Sequence, residues 1–204
     1  MLWAAVFSTD NQFKMKKIST LFKKNPENLG LVINEIAPEN QWVFDGEGIA
    51  TRKYDGTSCA IIFHKLYKRY DVKKGKQVPL NAIPCQEPDE ITGHWPHWIE
   101  CDRNNPADKY HFEGYDLLIF DEKDGTDFNG TYELCGPKIQ GNPERLQYHA
   151  LIKHGRQVIE GLVLEFESLK QYLESVDMEG IVFHHKSDGR MCKLRKSDFG
   201  LLRS

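Results

Sequence analysis

Short runs rich in β-branched and aromatic residues recur along this chain, closed by turn formers and without regular helices between them. The runs cover residues 41–52, 58–64, 110–120, 130–135, 147–153, 180–186 and 191–195. Asp55-Gly56, Asp124-Gly125 and Asp188-Gly189 punctuate them, as turns punctuate strands. Asp188-Gly189 lies between two apolar-containing runs and predicts a hairpin. One helix is well marked: Ser168 and Gln171 form a capping-box pattern, and Leu169, Tyr172, Leu173 and Val176 recur at helical spacing. A weaker pattern predicts a helix over residues 14–24. Strands that outnumber helices without alternating with them favour an α+β fold with mainly antiparallel sheets, flanked by helices, over a doubly wound parallel sheet.

A length of 204 residues suits one domain, residues 1–204, or a domain with a small lobe. At 40% hydrophobic residues the chain can bury a core, which excludes wholesale disorder. The apolar stretch from Leu2 to Phe7 is too short for a signal-peptide core or a membrane span. The five cysteines are scattered with no CxxC pair, so neither a zinc ribbon nor a disulfide framework is expected, and a reducing, cytoplasmic location is. A net charge of −3 excludes a globally basic nucleic-acid coat protein. The charge is nonetheless uneven. Lys65, Lys68, Arg69, Lys73, Lys74 and Lys76 form one basic stretch, and Lys186, Arg190, Lys193, Arg195, Lys196 and Arg203 form another. Each is either ordinary solvated surface or a local phosphate-binding face. Residues 77–105, with four prolines and the pairs His94-Trp95 and His97-Trp98, predict a long irregular segment. Such a segment is either functional and mobile or a packed excursion anchored by its tryptophans.

Four stretches carry side chains capable of chemistry. In Lys53-Tyr54-Asp55-Gly56 a lysine at a strand end is held on a turn that exposes its amine. Glu133 lies inside a strand just ahead of the Gly136-Pro137 break. Glu179 stands at the mouth of the strand Gly180-Ile181-Val182-Phe183. Lys193 and Arg195 point to one face of a strand, because side chains alternate with a period of two. Each stretch alone is compatible with ordinary structure.

In this order, the stretches resemble the covalent nucleotidyltransferase superfamily, which contains ATP-dependent DNA and RNA ligases and GTP-dependent mRNA capping enzymes. The run Glu133-Leu134-Cys135-Gly136-Pro137-Lys138-Ile139-Gln140 is similar to the RNA ligases. The strongest resemblance is to the small ATP-dependent 5′-3′ RNA ligases first recognised in vertebrates. It rests on Lys53-Tyr54-Asp55-Gly56-Thr57, Gln140-Gly141-Asn142-Pro143, His154-Gly155 and the run from Glu179 to Gly189. Gln140 stands where that family has Asn, and one extra residue separates His184 from Ser187. The resemblance covers residues 42–202.

The resemblance implies a ligase adenylation domain acting with ATP and Mg²⁺ or Mn²⁺ on RNA 5′-phosphate and 3′-hydroxyl ends, as a monomer without a membrane partner. Lys53 would form a lysyl–AMP phosphoramidate. An amine with a pKa of ~10.4 is protonated at neutral pH, so burial or a neighbouring positive charge, a metal or Arg52, must activate it. Asp55 would shape the turn or accept hydrogen bonds. Lys193 matches the basic residue on the α-phosphate, and Arg195 or Lys196 its second member. Glu179 matches the metal-holding carboxylate, a hard oxygen ligand suited to Mg²⁺. Glu133 matches a ribose contact, and Arg69 a phosphate contact for which Lys68 and Lys73 are rivals. His149, with Tyr148 as rival, would stack on adenine, unless it is a core or edge-strand aromatic. His184 and His185 are expected to be structural, since adjacent strand residues face opposite sides.

A catalytically inactive nucleotide- or RNA-binding module is one alternative, but the nucleophile, both carboxylates and the basic strand are all present. Capping guanylyltransferases and DNA ligases usually need a following oligonucleotide-binding barrel. Only nine residues follow Arg195, so no such C-terminal domain is expected.

Overall fold

The computed structural model describes residues 15, 17–90, 92–121 and 126–203. The strands are β1 (Ser19–Thr20), β2 (Phe22–Asn25), β3 (Asn28–Ile36), β4 (Gly48–Lys53), β5 (Thr57–Ile62), β6 (Lys65–Val72), β7 (Ile83–Pro84), β8 (Trp95–Glu100), β9 (Gly130–Cys135), β10 (Ala150–Lys153), β11 (Gly180–His185) and β12 (Met191–Arg195). The α-helices are α1 (Lys109–Asp121) and α2 (Phe166–Ser175), and short 3-10 turns occupy Pro38–Val43, Pro106–Asp108 and Lys196–Phe199. The fold is α+β with mainly antiparallel sheets. Among the described residues, no helix is long and apolar enough to cross a membrane.

Two compact units make up the chain: Met1–Lys17 with Gly56–His154, and Ile18–Asp55 with Gly155–Ser204. The chain passes between them at Lys17-Ile18, at Asp55-Gly56 and at His154-Gly155, the last two inside motifs quoted above.

The first unit is built on a six-stranded antiparallel sheet in the order β10-β9-β5-β6-β8-β7. Register sorts its side chains. Cys59, Ile61, Leu66, Tyr132, Leu134 and Leu151 share one face, against which Phe112, Tyr115 and Leu118 of α1 pack. Gly114 is buried there; a Cβ would come within 3.0 Å of Leu134 Cδ1, so glycine allows the helix to seat closely. The other face carries Ala60, Ile62, Tyr67 and Trp98. The second unit holds the sheet β1-β12-β11-β4, antiparallel except for β1 beside β12, and the hairpin β2-β3. Leu169 and Leu173 of α2 are fully buried with Leu21, Ile181, Phe183 and Leu194.

Several expectations need correction. Residues 110–120 are helical rather than extended. Asn105 caps the preceding 3-10 turn through Ala107 N–H, and Pro106 pre-sets its first turn. The chain then runs on as α1, whose aromatics mimic strand composition. The helix predicted over 14–24 is replaced, in its described part, by β1 and β2: Ser19 and Thr20 pair with Cys192 and Lys193, and Leu21 N–H donates to Lys193 O. Tertiary pairing overrides a weak local preference. Residues 41–43 of the 41–52 run belong to a 3-10 turn begun by Pro38 and the strand starts only at Gly48, and only Ala150–Lys153 of the 147–153 run is extended. Helix α2 begins two residues before Ser168, at Phe166, with no side-chain cap.

The irregular segment 77–105 contains β7 and β8. Trp98 is fully buried, and Trp95 Nε1 donates to Gln86 O at 2.7 Å, so the tryptophans anchor it as a packed excursion. The basic stretch holds β6, paired along β8. Asp124-Gly125 lies outside the described residues. All five cysteines are free and buried, and Gly189 closes the β11–β12 turn in the left-handed region at φ +75°.

Candidate active site

The four-stranded sheet sets the first group of residues by register alone. Lys53, the last residue of β4, lies opposite Gly180 of β11, which lies opposite Arg195 of β12. Two positions along, Thr51, Val182 and Lys193 form the next row. Residues paired across strands, or two apart along one, share a face. Lys53, Lys193 and Arg195 therefore stand on one side, while Ile181, Phe183, Cys192 and Leu194 fill the core on the other. Gly180 makes this row possible. A Cβ there would fall 2.3 Å from the Leu194 carbonyl oxygen, so any side chain would force β11 and β12 apart.

Arg52 belongs to the core-side parity of β4, not to the face of Lys53. Its Nη2 donates to the Asp177 carbonyl at 3.3 Å and its guanidinium lies 5.0 Å from the centre of the Tyr54 ring. The expectation that Arg52 supplies the positive charge beside Lys53 is corrected by this alternation: Lys193 and Arg195 occupy that place. Lys196 leaves the strand, is buried, and starts the 3-10 turn, so Arg195 is the basic residue that shares the face.

Glu179 immediately precedes β11, and its carbonyl accepts the Lys196 N–H at 2.9 Å. Its carboxylate is ion-paired and hydrogen-bonded with Lys53 Nζ. Burial raises the Glu179 carboxyl above its ordinary range; the charge of Asp55 adds to this, while Lys53 and Arg195 oppose it. Burial, then the charges of Arg195 and Lys53, lower the Lys193 ammonium. Asp198, fully buried, is different. Arg195 Nη2 reaches its Oδ1 at 3.0 Å, the Arg195 backbone N–H donates to Oδ2 at 2.8 Å, and Lys24 Nζ lies 2.6 Å from Oδ1. Burial alone would raise Asp198, but these bonds hold it below the usual carboxylate value. The same partnership raises Arg195. Asp55, at the turn after β4, is 3.7 Å from Arg203 Nη1.

The first unit holds the other predicted residues. Glu133 is paired with Ser58 across β9 and β5 and is nearly buried. Its Oε2 accepts from Ser58 Oγ at 3.2 Å and shares a hydrogen bond with His154 Nε2 at 3.0 Å; His154 Nδ1 is 3.0 Å from Thr131 Oγ1. Gly56 permits this arrangement, since a Cβ would lie 2.2 Å from the Leu134 carbonyl oxygen. Arg69 lies on the same sheet face as Glu133 and Ser58, paired with Trp98. Its rival Lys68 points to the helix-covered face and is ion-paired with Asp108, and Lys73 is exposed beyond the end of β6.

His149 does not present a free ring. It is 6% exposed and stacked on Tyr110, with centroids 4.4 Å apart. The Lys138 N–H donates to its Nε2 at 3.2 Å, leaving Nδ1 to donate to Glu113 at 2.7 Å. A Cβ on Gly136 would lie 2.5 Å from its Cδ2. Both ring nitrogens and one ring face are taken up by protein groups, as in a core aromatic, while its rival Tyr148 is 60% exposed. His184 and His185 also bond to protein groups, His184 Nε2 to Thr51 Oγ1 at 3.0 Å and His185 Nε2 to Glu47 at 2.9 Å.

Sequence reasoning overlooked Asp198 and Lys24 and left His154 without a role. The His154-Gly155 pair was a visible signal for His154. Asp198 stands three residues from Arg195, a spacing that suits an ion pair on a turn. Glu179 and Asp55 offer hard oxygen donors to a divalent ion, and Lys193 and Arg195 offer charge to a phosphate. No protein-family model and no curated protein matches this chain.

Proposed function

We propose that this protein is an ATP-dependent RNA ligase with a nucleotidyltransferase adenylation fold, joining RNA 5′-phosphate and 3′-hydroxyl ends through a lysyl–AMP intermediate and an adenylylated RNA end. The observation that carries the reading is the single sheet face on which Lys53, paired to Glu179, stands with Lys193 and Arg195. An amine poised beside a carboxylate and two further cations suits covalent capture of a phosphoryl group. The motif order from Lys53 through Glu133 and Glu179 to Lys193 supports the same conclusion.

The chemistry needs Lys53 as a free amine. Glu179 is its hydrogen-bond partner and, with its carboxyl raised by burial, is the nearest acceptor for the ammonium proton. Lys53 Nζ then attacks the α-phosphorus of ATP; the new P–N bond forms as the P–O bond to pyrophosphate breaks. Lys193 and Arg195 neutralise the charge that builds on the α-phosphate oxygens. Transfer of AMP to an RNA 5′-phosphate and displacement of AMP by a 3′-hydroxyl complete the reaction. Glu179 and Asp55 suit Mg²⁺: both are oxygen donors, and the charge of Asp55 makes that of Glu179 costlier, a cost that a cation removes. Such an ion would supply positive charge to the triphosphate. Glu133, held by Ser58 and His154, suits a ribose hydroxyl, and Lys73, Lys74 and Lys76 form an exposed basic surface for RNA phosphates.

The test is covalent labelling. The protein is incubated with Mg²⁺ and ATP or GTP labelled in the α-phosphate, denatured, and assayed for retained label. Retention from ATP is expected, with none in Lys53→Ala. Label that persists in Lys53→Ala, or that comes from GTP alone, overturns the reading. Ligation of 5′-phosphorylated RNA but not of equivalent DNA then separates RNA from DNA ligation.

A further inference from the structure

Away from the residues assigned above, three potential metal ligands converge where the first unit's helix begins. Cys101 follows β8 and is tied to β6 by its N–H to Leu66 O at 2.8 Å. The chain then turns back through the Asn105-capped 3-10 turn, and Asp108 and His111 stand three residues apart across its junction with α1. That spacing puts both side chains on one helix face. One ligand atom from each of Cys101, Asp108 and His111 lies within 4.8 Å of the other two. Cys101 and Asp108 are buried. His111 Nδ1 is also buried, and among the described residues no group donates to it or accepts from it. A buried polar atom left in that state is costly and uncommon in a folded protein.

We propose that Cys101, Asp108 and His111 form a site for a zinc-class divalent transition-metal ion, which fastens the start of α1 to the end of β8. The donor set decides the class of ion. One sulfur, one imidazole nitrogen and one carboxylate oxygen suit Zn²⁺, Co²⁺ and similar borderline ions, and a thiolate is a poor ligand for Mg²⁺ or Ca²⁺. Bonds of about 2.0–2.3 Å in a tetrahedral site place ligand atoms about 3.5 Å apart. Side-chain rotation of about an ångström therefore closes the cluster. Three protein ligands leave a fourth position for water.

The neighbouring groups define the competition. Asp108 Oδ1 is ion-paired with Lys68 Nζ, and Oδ2 accepts the Asp102 N–H at 3.0 Å. Lys68 is therefore the cation that a metal ion would supplant as countercharge to Asp108. Burial, then the Asp108 charge, push the Cys101 thiol up to about 12. Coordination would exchange its proton for the metal: the S–H bond breaks, the S–metal bond forms, and the proton leaves to solvent with no change of oxidation state.

Cobalt supplies the probe. The full chain, stripped with chelator and dialysed, is titrated with Co²⁺ while absorption is followed. A thiolate-to-cobalt charge-transfer band in the near ultraviolet is expected, saturating at one equivalent and abolished by excess Zn²⁺. Cys101→Ser should lose the band, and His111→Ala, a change at a partly exposed position, should weaken binding at least tenfold. No saturable band in the wild-type chain, or a band that survives Cys101→Ser, overturns the proposal. If Cys101→Ser does not fold, His111→Ala decides: wild-type affinity in that variant also overturns it. ATP labelling has no part in the readout, so the ligase reading and the metal site stand or fall separately.

Discussion

Two carboxylates of the second unit, Glu179 and Asp198, lie at opposite ends of the same electrostatic problem. Asp198 is fully buried, yet two cationic side chains and a backbone N–H hold it as an anion below its usual pKa. Glu179 keeps 22% of its side chain exposed, is hydrogen-bonded to Lys53 with Arg195 acting only through its charge, and is raised. Burial opposes charge in both; the number of donors decides the outcome. Asp198 is thus a fixed element that orients Arg195, while Glu179 is a carboxylate that gains from releasing its charge, taking a proton or meeting a cation. The difference separates a residue that holds the site from one placed to act in it.

The largest effect expected on this comparison is at the partner of Glu179. Lys53→Ala should lower covalent labelling from ATP by more than about 10³-fold, the scale on which loss of a nucleophile acts. Circular dichroism should be unchanged, because Lys53 ends its strand with a partly exposed side chain. Next comes Asp198→Ala. Removing one member of a buried pair costs about 3–5 kcal/mol, but Lys24 and Arg195 keep roughly a third of their side chains exposed and regain water, which lowers the expectation to about 2–3 kcal/mol. Urea unfolding measures it. A variant as stable as wild type would mean that Asp198 is no more structural than Glu179. Gly180→Ala follows, at about 2 kcal/mol, since the added methyl meets the Leu194 carbonyl oxygen at 2.3 Å and β12 must move. Labelling should fall with stability there, because Arg195 and Lys193 ride on β12.

Much of this site was legible in the sequence for a simple reason. Lys53, Glu179, Lys193 and Arg195 sit at strand ends or in strict alternation, where a period of two assigns faces without coordinates. Strand β12 coincides with the 191–195 run because Asp188-Gly189 announces its hairpin. The same rule, applied one residue earlier, would have turned Arg52 away from Lys53. What escaped lies in long-range pairing and in composition that misleads. The Lys24–Asp198 contact spans 174 positions and leaves no local mark. Tyr110, Phe112 and Tyr115 look like strand residues, and the helix signal of Asn105-Pro106 lies upstream of them. The sequence marks His149 only as an aromatic ring; the fold puts Tyr110 on that ring and Glu113 and Lys138 on its nitrogens.

The smallest effect is also the sharpest test of the difference between the two carboxylates. Glu179→Gln should change stability at neutral pH by less than about 1 kcal/mol, and the sign of its pH dependence is set by the direction of the shift. An unfolded glutamate titrates near ~4.3. The native carboxyl titrates higher, so between that value and its folded one the native state binds more proton than the unfolded state, and stability falls as pH rises through the window. Glutamine removes that fall, so the variant gains on wild type from about pH 4 toward neutrality. Asp198→Asn should behave in the opposite sense. The depressed Asp198 contributes stability above ~3.9 that is lost as pH drops through its folded value, so the variant's deficit should shrink in acid. Unfolding free energies measured across this range for both variants give two slopes. Opposite slopes are expected. Equal slopes would place both carboxylates in the same class, leaving Glu179 as another structural anion rather than the proton acceptor for Lys53.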